Sequence, residues 1–318
     1  MPRPSRVKSS LLPHVFAALL LQGAMIAPAC AQTIGLVMPV ANDTFRDTIA
    51  AGVAAAAKAA GYQVTQTDAQ GDESLQIANA KQQIADGASA LVVLGLADSV
   101  ETQIAALARS AKVPLVFVNH EPDHALLGNG VAYVGSEEKV AGTLETEEAC
   151  RLMGGKGTAV VLIGELTHPA ARTRTRYVHE VLARPECKGI EILEEQGGNW
   201  DRAEAKALMQ SFLDAGLRPD GVISNNDEMA LGAIDALKPA GLKSVVTGID
   251  ATNDGLEAMK AGDLSATVLQ DGQAQGALSV ALVGKMLAGE AVEPLNWIPF
   301  VLVRPGDVAA LQAKRTTN

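Results

Sequence analysis

Residues 90–119 read ALVVLGLADSVETQIAALARSAKVPLVFVN, in which two apolar runs flank an alanine-rich segment. The runs Ala90–Leu94 and Pro114–Val118 are apolar throughout, which is typical of strands buried on both faces of a parallel sheet. The segment Ser99–Ser110 between them predicts a helix. This unit therefore predicts an α/β fold in which helices cover both faces of a parallel sheet.

The same alternation extends over the rest of the chain. Before the quoted stretch, Thr33–Met38 and Gln63–Thr67 predict strands, each followed by a helix. After Ala132–Val134 the pattern restarts, and it ends with a predicted strand at Trp297–Val303 and a short terminal helix. The halves are of similar size and no Pro-, Gly- or Ser-rich linker separates them. We therefore expect two doubly wound, Rossmann-like lobes with a ligand cleft between them.

The composition is that of a folded, acidic protein. The 318 residues include 48% hydrophobic and 19% charged side chains, and the formal net charge is −10. The hydrophobic fraction excludes disorder over most of the chain, and the length suffices for two domains with cores of their own. A groove for nucleic-acid phosphates needs clustered Lys and Arg, so the acidic balance disfavours a nucleic-acid partner.

The first 31 residues have the three parts of a secretory signal peptide. Arg3, Arg6 and Lys8 precede an apolar run, Leu11–Ala27, and the small-residue motif Ala29-Cys30-Ala31 follows. We therefore predict that residues 1–31 are a secretory signal peptide and that the mature chain begins at Gln32. Two alternatives stay open, a transmembrane anchor and a lipoprotein acylated at Cys30.

Two cysteines, Cys150 and Cys187, remain after that cleavage. In an oxidising compartment they allow one intramolecular disulfide, which we favour over two buried thiols. The bond would join the end of a helix that enters the second lobe to a loop between a helix and a strand of that lobe.

Polar side chains follow the predicted strands, at the edge where open α/β sheets bind ligands. They include amides, carboxylates, an arginine and a histidine, together with two of the few aromatic residues. The candidates are Asp43, Phe45, Asn119, His168, Arg174, Trp200, Asn226, Asp250 and Gln270. Carboxylates and amides pair with hydroxyl groups, and aromatic faces cover the C–H face of a sugar ring. The set therefore suits a neutral polyhydroxyl ligand.

Helix capping is the alternative role for a single Asn or Asp at such a position. It is strong for Asn225, Asp227 and Asp201, which immediately precede predicted helices, and weaker for Asp250. The sequence alone leaves both interpretations open at each position.

Motifs for ATP hydrolysis and serine-based hydrolysis are absent from the chain. It contains neither a G-x-x-x-x-G-K-[S/T] phosphate loop nor a G-x-S-x-G nucleophile elbow. His120 and His124 flank Glu121 and Asp123, but no helical pattern aligns them, so we predict no metal site there. A carboxylate pair for glycoside hydrolysis stays open, because the separation of two carboxylates is a three-dimensional property.

Six stretches resemble the periplasmic sugar-binding proteins of ABC importers. They are Val113–Pro122, Tyr133–Ser136, His168–Tyr177, Asn199–Asp201, Asn225–Ala230 and Gly248–Ala251. The resemblance covers nearly all of Thr33–Val308 and is strongest to the galactose/glucose-binding members of the ribose/galactose group. It implies the type 1 periplasmic binding protein fold. It also implies a ring held between Phe45 and Trp200, with polar contacts from the seven other candidates.

The sequence departs from the galactose/glucose-binding pattern in three places. Gln270 stands where those proteins have Asn, and Ala170 stands where they have an Asp that contacts the sugar. Without that acceptor, a pentose, a deoxy sugar or a cyclic polyol such as inositol becomes possible. The acidic calcium-binding loop is replaced by Met153–Gly157, which carries no carboxylate. We therefore predict no metal, and we expect no cofactor.

The resemblance also implies an arrangement of lobes that can close around a ligand. We expect the chain to cross between the lobes near Ser136, Gln270 and Ile298, and these crossings to act as a hinge. Residues 32–136 and 271–298 would form the N-terminal lobe. Residues 137–270 and 299–318 would form the C-terminal lobe.

Within the site, we expect Arg174 to donate hydrogen bonds to ligand oxygens while Asp250 holds its guanidinium. Arg176 lies about 200° further round the same helix and should face solvent. Trp297 should lie outside the site.

The implied function is that of a binding protein without catalytic activity. We expect a monomer that delivers a sugar or polyol to a permease and its ATPase at the inner membrane. A chemoreceptor as a further partner, or a sensor role in place of transport, stays open. A repressor's effector domain would need a helix-turn-helix before the first strand, where the signal peptide stands. A secreted carbohydrate-active enzyme is a further alternative, and it would differ from a binding protein by converting its sugar to products.

Overall fold

The computed structural model describes residues 1–2, 4, 32–41 and 43–317. The predicted signal peptide, residues 1–31, lies outside the described residues apart from Met1, Pro2 and Pro4. The chain divides into Met1–Ala31 and Gln32–Asn318, and the fold below is that of the second unit. In the described part of the chain, no helix is both long and apolar enough to cross a membrane.

The first sheet forms from the apolar strands in the first half of the chain. It contains β1 (Thr33–Met38), β2 (Gln63–Asp68), β3 (Ala90–Val93), β4 (Leu115–Val118), β5 (Val131–Gly135) and, from near the C-terminus, β11 (Leu295–Trp297). The strand order is β11-β5-β4-β3-β1-β2, and all neighbouring strands are parallel.

The second sheet repeats this architecture. It contains β6 (Lys156–Ile163), β7 (Gly189–Gly197), β8 (Gly221–Ser224), β9 (Val245–Asp250), β10 (Ala266–Leu269) and β12 (Val301–Val303). The order is β12-β10-β9-β8-β6-β7, and only the edge strand β12 runs antiparallel to its neighbour. The predicted pair of doubly wound α/β lobes is confirmed.

Helices cover both faces of each sheet. On the first sheet they are α1 (Arg46–Ala60), α2 (Glu73–Ala85), α3 (Asp98–Ala111) and α9 (Gly272–Leu287). On the second they are α4 (Glu138–Met153), α5 (Pro169–Leu182), α6 (Arg202–Asp214), α7 (Asp227–Leu237), α8 (Asn253–Ala261) and α10 (Val308–Thr317). Short 3-10 helices occupy His124–Leu126 and Pro305–Asp307.

Successive side chains of one strand enter different cores. Val92 belongs to the apolar cluster that includes Ile49 of α1 and Val280 of α9. Its neighbour Leu91 belongs to the cluster that includes Ile104 of α3. Because both faces are buried, the strand must be apolar at every position, which explains the unbroken apolar runs of the sequence.

The chain passes between the two sheets at three places. The first crossing joins β5 to α4, the second joins β10 to α9, and the third joins β11 to β12. The predicted single strand Trp297–Val303 is wrong, since the segment forms two short strands in different sheets. Pro299 lies between them and has no N–H to donate, so it ends the first strand where the chain changes sheets.

Strand β7 is longer than the predicted Ile190–Leu193, because it continues to Gly197. Its second half contains Glu194 and Glu195, which are exposed at the edge of the sheet. An exposed edge strand tolerates polar residues, so the apolar pattern ended before the strand did.

The structure contains a disulfide between Cys150 near the end of α4 and Cys187 in the loop between α5 and β7, with their Cα atoms 5.6 Å apart. Both residues are buried in an apolar cluster with Val178 and Val181 of α5. The bond ties α4 to the chain that leads into β7.

Candidate functional site

A cleft between the carboxyl ends of the two sheets contains all nine residues proposed from the sequence. About 400 Å³ of space, part of it open to solvent, lies between them. The lining residues are Asp43, Phe45, Asn119, His168, Arg174, Trp200, Asn226, Asp250 and Gln270, with Arg46 and Ala170 in addition. Asp250 ends β9, Arg174 lies in the second turn of α5, and the others come from loops or helix starts that follow a strand, at the edge where open α/β sheets bind ligands.

Trp200 owes its position to an unusual backbone and to a neighbouring glycine. Both Asn199 and Trp200 adopt positive φ, 51° and 64°. The ring lies so close to Gly164, at the end of β6, that a Cβ there would be 2.2 Å from the Cζ2 atom of Trp200. Strain of this kind is held only where the surroundings fix it, which is common at ligand sites.

Phe45 approaches the cleft from the other lobe. It precedes α1, and its half-buried ring packs against the apolar cluster beneath that helix. The carboxylate of Asp43 accepts hydrogen bonds from the backbone N–H groups of Phe45 and Arg46, at 3.0 and 2.8 Å. Asp43 therefore fixes the turn that presents both side chains to the cleft.

His168 is the N-cap of α5, and this contact fixes its tautomer. Its Nδ1 accepts a hydrogen bond from the backbone N–H of Ala170 at 3.1 Å, so in the neutral ring the proton is on Nε2. Burial, with smaller electrostatic contributions from nearby groups that include Arg46 and Arg174, holds the pKa of His168 well below its usual value. His168 is therefore a neutral hydrogen-bond donor at neutral pH.

Behind His168 lies a buried pair that the sequence did not reveal. The ring of His120 stands edge-on to His168, with 4.8 Å between the centroids. Its Nδ1 lies 2.9 Å from an oxygen of Glu101, which is fully buried in α3. Burial raises the pKa of Glu101, and the hydrogen bond from His120 opposes that shift.

The two histidines considered for a metal site have separate partners. His124 contacts the carboxylate of Glu121 at 2.6 Å on the surface, whereas His120 contacts Glu101. Among the described residues, the group that could hold a metal ion is Asp98, Glu101 and His120, with ligand atoms within 4.8 Å of one another.

Arg174 is 3% exposed and is held by three acceptors. Its Nε donates to Glu138 at 2.5 Å, Nη1 to the carbonyl of Asn225 at 2.7 Å, and Nη2 to Oε1 of Gln270 at 3.0 Å. The expectation that Asp250 holds this guanidinium is wrong, because Glu138 occupies that role. The guanidinium carbon also lies 5.6 Å from the centroid of the Trp200 ring.

Asp250 instead lines the cleft and forms no close ion pair with any of the described residues. It is 5% exposed and adopts a φ of 119°, in the left-handed half of conformational space. Burial raises the pKa of Asp250 well above its usual value, and the charge of Arg174 opposes that shift. A buried carboxylate of this kind is stabilised by any ligand group that donates a hydrogen bond to it.

The amide side chains divide between capping and lining the cleft. Asn226 does both: its Oδ1 accepts from the N–H of Met229 at the start of α7, and its Nδ2 donates to the carbonyl of Trp200. Asp201 caps α6 and is not part of the cleft lining, so the capping interpretation is confirmed there. Asn119 has a φ of 70° and lines the cleft from the first lobe.

Comparison with known proteins gives the family. The family model described as "Periplasmic binding protein domain" matches residues 34–291. The chain belongs to the periplasmic binding protein family. Its two-lobed α/β fold is accordingly the type 1 periplasmic binding protein fold that the resemblance implied.

Relatives of this periplasmic binding protein align over nearly its whole length. A protein of Rhizobium meliloti named "Putative rhizopine-binding protein" is 44% identical over 291 residues, covering 90% of this chain and 94% of the relative. The D-galactose/methyl-galactoside binding periplasmic protein of Haemophilus influenzae is 31% identical, covering 91% and 92%. An ABC transporter solute binding protein of Bacillus halodurans C-125, solved with bound myo-inositol, has a TM-score of 0.82 at 33% identity, covering 89% and 98%.

Three residues at or near the cleft were not found from the sequence of this periplasmic binding protein. Arg46 lines the cleft, Glu138 holds Arg174, and Glu101 holds His120. Arg46 and Glu138 each begin a helix that follows a strand. A search of all polar residues after the predicted strands would therefore have included them. Glu101 lies inside a helix, and no sequence signal separates it from the surface acids of the chain.

Proposed function

We propose that this periplasmic binding protein is the solute-binding component of an ABC importer. Its ligand is a single-ring polyol, either a cyclitol or a monosaccharide, bound in the cleft between the lobes. The observation that carries the proposal is that aromatic rings and buried polar groups from both lobes line one small cleft. A flat ring with polar edges fits such a lining.

The hydrogen-bonding groups of the cleft residues favour hydroxyl groups over other ligand chemistry. Gln270 Nε2 and Trp200 Nε1 are buried donors without a partner among the described residues, and His168 Nε2–H is a third donor. Asp43 and Asp250 supply carboxylate oxygens. A hydroxyl group both donates and accepts, so a polyol satisfies both kinds, whereas an apolar ligand would leave them unpaired.

Ala170 favours a cyclitol over a reducing hexose in this proposal. It lines the cleft with a methyl group, where galactose/glucose binders have an aspartate that contacts the sugar. The solved relative with bound myo-inositol supports the same ligand class. A relative from Mycolicibacterium smegmatis, 34% identical, is named as a xylitol-binding protein, so an acyclic polyol is the alternative that the test must separate from a single-ring ligand.

The proposal extends to the contacts of the bound ligand and to its delivery. The ring lies between Phe45 and Trp200, and the polar candidates bond to its hydroxyl groups. The protein is exported to the periplasm, acts as a monomer, and passes its ligand unchanged to the permease and its ATPase. It has no catalytic activity of its own.

A thermal-shift screen of the mature chain tests the proposal. The panel is myo-inositol, D-galactose, D-ribose and xylitol, and a true ligand raises the melting temperature by mass action. The ligand should also change the fluorescence of Trp200, and this change should survive in W297F and disappear in W200F. Trp297 is the matched control, since it is 41% exposed and packs on Tyr133 away from the cleft lining. No shift with any member would refute the ligand class, and chemically altered ligand would refute the non-catalytic role.

A further inference from the structure

Arg174 connects the cleft to two of the crossings between the lobes. Its partner Glu138 is the first residue of α4 and lies just after the first crossing. Its partner Gln270 follows β10 and lies just before α9, at the second crossing. Arg174 itself lies on α5, far from both in sequence, so one guanidinium brings two crossings together.

The contact between Arg174 and Glu138 depends on a close approach of α4 and α5. A Cβ at Gly142, one turn after Glu138, would lie 2.5 Å from the carbonyl oxygen of Arg174. Glycine at that position lets the helices pack closely enough for the carboxylate to reach Nε. Glu138 is 8% exposed, so the ion pair is shielded from solvent and is sensitive to its geometry.

Arg174 and Gln270 keep N–H groups that are available to a ligand in the cleft. Three N–H groups of the guanidinium have protein acceptors, which leaves about two of its five for other partners. Gln270 uses Oε1 for Arg174, and its Nε2 has no partner among the described residues. Both residues line the cleft, so a ligand there meets groups whose other ends hold the crossings.

We propose that Glu138 is a positioning residue that couples ligand binding at Arg174 to the hinge. The inference rests on the proposed function, because it assumes that the cleft of Arg174 holds the ligand. Glu138 fixes the guanidinium so that it contacts Gln270 and the ligand together, and ligand binding thereby tightens the first and second crossings as one unit. Glu138 does not line the cleft, and it acts on the ligand only through Arg174.

The first experiment measures backbone hydrogen exchange of the ligand-free protein. E138Q keeps the shape of the side chain and removes its charge, and exchange at residues 271–275 of the second crossing should become about fivefold faster or more. The matched control is E137Q, which removes an exposed carboxylate one residue earlier that pairs with Lys139. E137Q should leave exchange at 271–275 unchanged.

A double-mutant cycle separates coupling through Arg174 from a merely local effect. In an R174M background, E138Q should no longer accelerate exchange at residues 271–275. Should R174M fail to fold, R174K replaces it, because lysine can pair with Glu138 but cannot also reach Gln270 with a planar fork. R174K alone should then accelerate exchange at 271–275. No acceleration in E138Q, or equal acceleration with and without Arg174, would overturn the proposal.

Calorimetric titration with myo-inositol tests whether Glu138 affects ligand binding. E138Q should weaken binding by about tenfold or more, and E137Q should change it by less than about twofold. Unchanged affinity in E138Q would overturn the coupling of Glu138 to the ligand. Failure of the wild-type protein to bind any polyol would refute the proposed function instead, and the exchange experiment would still decide whether Glu138 acts on the second crossing through Arg174.

Discussion

The guanidinium of Arg174 is buried and bonded on three sides, whereas Arg176 on the same helix has a side chain that is 63% exposed and faces Glu180. Removing Arg174 would leave buried acceptors on the protein and the ligand without a donor. We expect R174A to weaken ligand binding by about 2–4 kcal/mol, or roughly 30- to 1000-fold. R176A should bind like the wild type in the same titration. Equal affinities for the two variants would contradict the assignment of α5 to the site.

Glu145 predicts a pH dependence of stability. It is 1% exposed in α4, and Oε1 accepts from the Ser224 N–H and the Thr247 hydroxyl, each at 3.0 Å. Burial raises the pKa of Glu145 to about 8 from 4.5. The folded state thus holds this proton more tightly than the unfolded state does. The stability that protonated Glu145 contributes is therefore full below the unfolded-state pKa and is lost as pH rises through the folded-state pKa.

Urea unfolding at a series of pH values from 4.5 to about 8 measures that loss of stability. Between the two pKa values Glu145 should lower the free energy of unfolding by up to about 1.4 kcal/mol per pH unit. E145Q, whose side chain stays neutral, should show a flatter pH dependence in this window. E147Q is the control, because Glu147 is exposed on the same helix and pairs with Arg184. An identical pH dependence in E145Q and E147Q would contradict the role of Glu145.

At the scale of elements, the disulfide links α4 to the segment between α5 and β7. It closes a loop with a sequence separation of 37 residues. In the chain-entropy model, a loop of this size corresponds to about 3–4 kcal/mol of stability, and we expect the double variant C150S/C187S to lose a comparable amount in urea unfolding. The mature protein, unfolded without reductant, should contain no titratable thiol. Two thiols would rule the bond out.

At the scale of the whole molecule, the two lobes touch across the cleft. The ring of His120 in the first lobe stands edge-on to the ring of His168 in the second, with 4.8 Å between the centroids. We expect the three crossings to restrict relative movement of the lobes to a hinge. A bound ligand would contact both lobes and hold them together, so we expect the lobes to be more open without it. Solution scattering should show a more extended particle without ligand than with myo-inositol, and superimposable curves would contradict closure.

The parts of this protein that could be predicted from sequence are those that depend on local pattern. Strands buried on both faces, such as Ala90–Val93, must be apolar at every position, so their place and the α/β class follow from the sequence. Ligand-facing residues follow the strands in such folds, which is why all nine candidates line one cleft. With residues 1–31 removed, as the sequence predicts, two cysteines remain and only one intramolecular pairing is available to them.

Tertiary structure decided which of these residues meet. Arg174 pairs with Glu138 and not with Asp250, because α4 and α5 approach at Gly142 and bring Glu138 to the guanidinium. The tautomer of His168 depends on a contact with the start of α5, and the burial of Glu101 depends on packing around α3. Distances between residues remote in sequence, and the loss of water around them, are properties of the folded chain. They cannot be inferred from the pattern of residues along one strand or helix.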